Sequence, residues 1–110
     1  MIHLFLDDYR HCPKGFVLAL TAEQCKQIID TEDIDILSLD YDLGWNQDTG
    51  AEVVRHMVST GRYPKQVFLH TSSAAGRVQM YQMLYANAPK ETKVHNGPMP
   101  FSLLEEIASL

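Results

Sequence analysis

Along this chain, short solid blocks of apolar residues alternate with stretches in which apolar residues recur every three or four positions. His3-Leu4-Phe5-Leu6 is an apolar run closed by Asp7 and Asp8, the pattern of a buried strand that stops at a polar rim. Tyr9 to Gly15 carries Arg10, Pro13 and Gly15 and predicts a loop. Phe16 to Leu20 reads as a second strand. Thr21 with Gln24 three residues later forms a capping box for a helix running to about Asp30, with Ala22, Cys25, Ile28 and Ile29 on its buried face. After an acidic linker, Thr31 to Asp35, the run Ile36-Leu37-Ser38-Leu39 predicts a third strand that again ends in acids, Asp40 and Asp42.

Leu43 to Asp48 is a polar loop, and Thr49 with Glu52 predicts a second capping box ahead of Val53, Val54, Met57 and Val58 at helical spacing, stopped by Gly61 and Pro64. Val67-Phe68-Leu69 is a fourth strand, His70 to Gly76 a small polar turn, and Arg77 to about Ala86 a helix broken by Asn87 to Lys90. Thr92 to His95 is a weak fifth strand. A turn from Asn96 to Pro100 leads into a last helix, Phe101 to Leu110, with Leu103, Leu104 and Ile107 on one face.

Strands alternating with amphipathic helices call for an α/β fold of three layers, a five-stranded parallel sheet covered on both faces with right-handed crossovers. The order that follows is 2-1-3-4-5, the flavodoxin-like arrangement. In such sheets a ligand sits outside the carboxyl ends of the strands where the order reverses, between the first and third strands. Both of those strands end in aspartates.

The 110 residues suit a single domain, 1–110, with one core. Fourteen acidic against nine basic residues, with no Lys/Arg stripe, exclude the electrostatic footprint of direct nucleic-acid binding. No apolar run is long enough to span a bilayer and no basic segment leads into a secretory h-region, so no membrane role and a cytoplasmic location are expected. Cys12 and Cys25 lack a Cys-x-x-Cys spacing and read as packed or surface thiols.

Three carboxylates brought into one crevice repel unless a cation neutralises them, so Asp7, Asp8 and Asp40 predict a site for magnesium, or manganese, with the backbone near Asp42 completing the ligand set. Acids that merely cap strand ends in water are the bland alternative. The turn His70-Thr71-Ser72-Ser73-Ala74-Ala75-Gly76-Arg77 offers hydroxyls, a glycine, N–H groups at a helix start and an arginine. Thr71, Ser72, Ser73, Gly76 and Arg77 thus predict an anion cradle, beside the simpler reading that Ser72 or Ser73 only caps the helix. Arg10 is placed to grip a phosphate, or to pair with an acid such as Asp42. His70 is placed to move a proton near neutral pH, or to be a hydrogen-bonded core histidine.

Leu6-Asp7-Asp8, Asp40, Thr49-Gly50, the strand-four hydroxyl at Thr71 or Ser72, and Pro100-Phe101 resemble response-regulator receiver domains. Two departures stand out: Met99 lies where a receiver has lysine, with Lys93 as an offset substitute, and the first receiver helix is replaced by a loop, which leaves one sheet face partly bare. Both lead to a narrower resemblance, from about Ile2 to Met80, to the cyclic-phosphate-processing receiver domains. It rests on Leu6-Asp7-Asp8-Tyr9-Arg10, Pro13-Lys14-Gly15-Phe16, Ser38-Leu39-Asp40-Tyr41-Asp42-Leu43-Gly44, Thr49-Gly50, His70-Thr71, Gly76-Arg77 and Met80. Phe16, Leu20, Tyr41 and Ser73-Ala74 differ from the pattern, where tryptophan, arginine, histidine and Asn-Pro are associated with the family.

The resemblance implies a small phosphorylated ligand, a cyclic phosphate or one derived from a nucleotide. Three functions follow as alternatives. One is a metal-dependent domain that binds or hydrolyses a phosphoester, with Asp40 and His70 catalytic. Another is a stand-alone receiver phosphorylated on Asp40 by a partner kinase, and the last is a silent adaptor that uses its bare sheet face, or its last helix, for a homodimer or another partner.

Overall fold

A computed structural model describes residues 1–110. Five strands form one parallel sheet in the order β2-β1-β3-β4-β5. The strands are β1 (Ile2–Leu6), β2 (Val17–Ala19), β3 (Ile34–Leu39), β4 (Gln66–Leu69) and β5 (Lys93–Val94). Helices α1 (Ala22–Thr31), α2 (Gly50–Thr60), α3 (Ala74–Asn87) and α4 (Phe101–Ala108) complete the chain. This is the receiver-like α/β fold that the alternating pattern calls for, and residues 7–16, between β1 and β2, form a loop where a receiver has its first helix. No helix is long and apolar enough to cross a membrane.

Side chains alternate across the sheet, so one face of β1, β3 and β4 presents Leu4, Leu6, Leu37, Leu39, Val67 and Leu69. All six are fully buried in a cluster with Cys25 and Ile29 of α1, Val53, Val54 and Met57 of α2, and Met80 and Leu84 of α3. The other face presents Phe5, Ile36 and Phe68, which pack with Met99 and with Ile107 of α4. Cys12 and Phe16 of the 7–16 loop join that second cluster. Phe5, Ile36 and Phe68 are no more than 5% exposed, so the face expected to be partly bare is covered by α4 and by the loop itself. Gly15 makes this fit possible: its φ is +92°, and a Cβ there would come within 2.9 Å of Ile107 Cγ2. Exposed apolar surface persists instead on the edge strand, at Val17 and Leu18.

Several element ends differ from the pattern. β3 begins at Ile34, inside the acidic linker, because Ile34 pairs with Ile2 and is buried; half-buried Asp35 is the extra residue where the register shifts between the Ile2–Ile34 and His3–Ile36 pairs. β2 and β5 are shorter than the apolar runs that carry them, as edge strands commonly are. α3 starts at Ala74 rather than Arg77, since Ser73 Oγ accepts from Gly76 N–H at 3.0 Å and adds a turn. α4 ends at Ala108. At α1, Thr21 Oγ1 accepts from Gln24 N–H as predicted, but Gln24 Oε1 reaches past the cap to Leu20 N–H. At α2, Thr49 Oγ1 accepts from Ala51 N–H, and Glu52 pairs with Arg55 instead of closing a box.

Candidate functional site

The site is the first row of residues past the strand ends. Leu6 pairs with Leu39 and Leu39 with Leu69. One step further the ladder still holds: Asp7 N–H donates to Ala19 O, Asp40 N–H to Leu6 O, and His70 N–H to Leu39 O. Asp7, Asp40 and His70 therefore stand side by side, and the strand period of two puts them on the same face as Phe5, Ser38 and Phe68. Their ligating atoms lie within 4.8 Å of one another.

Asp7 is completely buried and both of its oxygens are occupied. Oδ1 accepts from the N–H groups of Tyr9 (2.8 Å) and Arg10 (2.9 Å), an Asx turn that folds the chain sharply after β1. Oδ2 accepts from Arg10 Nη1 and from His70 Nε2, both at 2.9 Å. The same Nη1 lies 3.2 Å from Asp40 Oδ2, so one guanidinium bridges the two carboxylates, and Asp40 Oδ1 accepts from Tyr41 N–H at 2.8 Å.

An ionised carboxylate can only accept, so His70 Nε2 must carry the hydrogen it shares with Asp7. In the neutral ring Nδ1 is then an acceptor, and Ser38 Oγ, 2.6 Å away, donates to it. The imidazole also stacks on Phe5, 4.3 Å between ring centres and nearly parallel. Ser38, His70 and Asp7 thus follow one another as in a hydrolytic triad. Ser38, next to last in β3, is fully buried, however, and no substrate can reach its hydroxyl, so it anchors the ring and attacks nothing.

The charges follow from these contacts. Burial pushes the Asp7 carboxyl upward, but the bonds from Arg10, Tyr9 and His70 outweigh it and hold the pKa at about 2. Burial raises Asp40, helped by its neighbour Asp7 and opposed by Thr71, Tyr41 and Arg10. Burial lowers His70, against the pull of Asp7, which leaves the ring neutral. The Asp7 bond raises Arg10 further.

Of the residues singled out in the sequence, the structure gathers Asp7, Arg10, Asp40, His70 and Thr71. Asp8 and Asp42 are exposed on the rim. Ser73 is spent on the α3 cap, its own N–H donating to Thr71 Oγ1, and Ser72 is exposed. Arg77 Nη1 donates to Asn96 Oδ1 beyond β5. Gly76 lies under the ring of Tyr41, whose hydroxyl donates to Gln79, so an aromatic ring covers part of the anticipated cradle. Lys93 pairs in register with Gln66 at the amino end of β4, away from the site, and Met99 is buried in the second cluster. Ser38 was not singled out for the site; its signal was a hydroxyl in an apolar strand two positions before Asp40.

Asp7, Asp40 and His70 are close enough together for a small divalent cation, but His70 could ligate it only after Nε2 gave up the hydrogen it shares with Asp7. The Arg10 guanidinium already neutralises the two carboxylates, so it and a cation are alternatives for one place.

A parallel sheet of order β2-β1-β3-β4-β5 with two acids meeting at its switch point defines a receiver-like domain. Within that class, the sequence matches the cyclic-phosphate processing receiver domain over residues 2–86, and the chain belongs to this family. Among curated proteins and among solved structures, nothing matches it.

Proposed function

We propose that this site binds and processes a small phosphoester, cyclic in form, in the cytoplasm. The observation that carries the reading is the Arg10 guanidinium held between Asp7 and Asp40 beside a neutral His70. A guanidinium matches a phosphate in charge and in its paired donors, and here it needs only to turn from one anion to another. Asp40, its pKa raised, is the carboxylate best suited to take a proton from an attacking water. When the phosphate ring opens, a P–O bond to that water oxygen forms, the ester P–O bond breaks, and the released oxygen takes a proton. Asp40 returns the proton it took from the water to that oxygen, while neutral His70, fixed by Ser38, holds Asp7 in place. Magnesium or manganese held by the Asp7 and Asp40 carboxylates would supply the charge that neutralises the acids once Arg10 has turned to the phosphate.

The alternative of a signalling receiver phosphorylated on Asp40 is weaker, because neither Met99 nor Lys93 presents an ammonium at the site. The test incubates the protein with a panel of cyclic phosphates, and separately with acetyl phosphate, in magnesium, manganese or chelator. Ring opening that Asp40→Asn and Arg10→Ala abolish supports the reading. A stable mass gain on Asp40 with no ring opening overturns it in favour of signalling.

A further inference from the structure

The two edges of the sheet are guarded unequally. β5 carries the exposed Lys93, a charge that discourages another strand from adding there. β2 carries none: Val17 is 42% exposed, Leu18 41%, and Leu20, just past the strand, 47%. By the strand period of two, Phe16, Leu18 and Leu20 share the face of Phe5, on which Phe16 packs, so an apolar stripe runs along this edge. Ala19 O accepts from Asp7 N–H, which means that Val17 and Ala19 turn their backbone groups to β1 and Leu18 turns its N–H and C=O away from the sheet. The donors on either side are already taken. Phe16 N–H is bound to Pro13 O, and Leu20 N–H to Gln24 Oε1. Leu18 is left as the residue of this edge with both groups open.

One free donor beside one free acceptor on the same residue is a pattern that its own copy satisfies. We propose that the chain associates with a second copy of itself through β2, antiparallel about a two-fold axis at Leu18. Each Leu18 N–H donates to the partner's Leu18 O, which closes both groups and joins the two five-stranded sheets into one. A longer strand from a different protein would find the flanking donors at Phe16 and Leu20 occupied, so the edge favours the two-fold over strand addition. The side chains agree: Leu18 lies opposite the partner's Leu18, and Phe16 opposite the partner's Leu20, apolar against apolar. So do the charges. Lys14 stands in the turn before β2 and Glu23 in the first turn of α1 after it, both exposed, and the two-fold sets the lysine end of one strand beside the glutamate end of the other, twice. The two acid sites then lie at opposite ends of the joined sheet, and the contact is independent of what they bind.

A contact of one strand pair is small, so the dimer should be weak, with a Kd on the order of 100 μM. Sedimentation of the full chain from about 10 μM to about 1 mM should show monomer passing to dimer, and amide hydrogen exchange at Leu18 should slow as the dimer fills. Leu18→Lys, at an exposed position whose melting curve checks that the fold is kept, should abolish both effects. Lys14→Glu should weaken association about fivefold, and adding Glu23→Lys should restore it. A chain that stays monomeric at about 1 mM overturns the proposal. So does a dimer that Leu18→Lys leaves unchanged; its loss in Phe101→Lys would assign the contact to α4 instead. Growth beyond the dimer also overturns it, because the two-fold uses up the unguarded edge.

Discussion

His70 donates through Nε2 to Asp7 Oδ2 at 2.9 Å, a neutral ring against an ionised carboxylate that is wholly shut from water. With Ser38 on the other ring nitrogen, this contact sets the tautomer of the histidine and the orientation of the carboxylate together. Arg10 is the remaining member, and the positive charge it brings lets two buried acids stand side by side.

Acid should weaken the fold through Asp7 and two histidines, His70 and His95. Asp7 has a folded pKa of about 2, below its ordinary 3.8, so its contribution is present above 3.8 and disappears as pH falls toward 2. His70 is lowered from 6.5, so the unfolded chain binds its proton first, and this contribution is lost as pH falls from 6.5 through the folded value. Asp40, raised, acts in the opposite sense and is relieved as pH falls. The melting temperature should begin to drop just below 6.5. His95, lowered from 6.5 by burial and by Lys93, acts in the same sense. In His70→Gln the drop below 6.5 should therefore shrink, and with His95→Gln as well the onset should move to the carboxylate range. A drop that His70→Gln leaves undiminished refutes the assignment.

Ser38→Ala leaves His70 Nδ1 without its donor in a buried site. The expected loss is about 1–2 kcal/mol in denaturant unfolding, the cost of one unpaired buried polar group. Nitrogen NMR of the ring should show the two tautomers mixing, whereas the wild type should show Nε2–H alone. A single unchanged tautomer in the variant would mean that Asp7 suffices.

Two helix-starting glycines should differ in severity. A Cβ on Gly50 would run into the carbonyl oxygen of Asp40, which is backbone, while one on Gly76 would meet the Tyr41 ring, which can move. Gly76→Ala should cost about 1–3 kcal/mol and be largely rescued by Tyr41→Ala. Gly50→Ala should cost more, with no side-chain rescue, and should disturb Asp40. Equal costs measured by chemical denaturation would count against this packing.

Arg10 and a divalent cation compete for the same carboxylates. Arg10→Met should therefore raise manganese affinity by about tenfold or more while weakening the binding of a phosphoester, both read by calorimetry. Manganese should raise the melting temperature of the variant more than that of the wild type, by linkage. If the variant takes up metal no better than the wild type, the guanidinium does not occupy the cation's place.

The alternation of apolar runs and amphipathic stretches was enough to determine nine elements, their parallel order and the convergence of Asp7 with Asp40. These depend on local periodicity and on a topological rule, and both act along the chain. The acid at the end of each apolar run marked the rim of the sheet for the same reason. Only the tertiary structure decided which groups neutralise one another. Arg10 meets Asp40, 30 positions away, and His70 meets Asp7, 63 positions away, through side-chain rotations that no spacing encodes. Competition for partners settled the rest: Ser73 is taken by its own helix, Arg77 by Asn96, and the sheet face expected to be partly bare by Phe16 and α4. A hydrogen-bonding group goes to the neighbour that geometry brings within 3 Å, and that neighbour exists only once the sheet has formed.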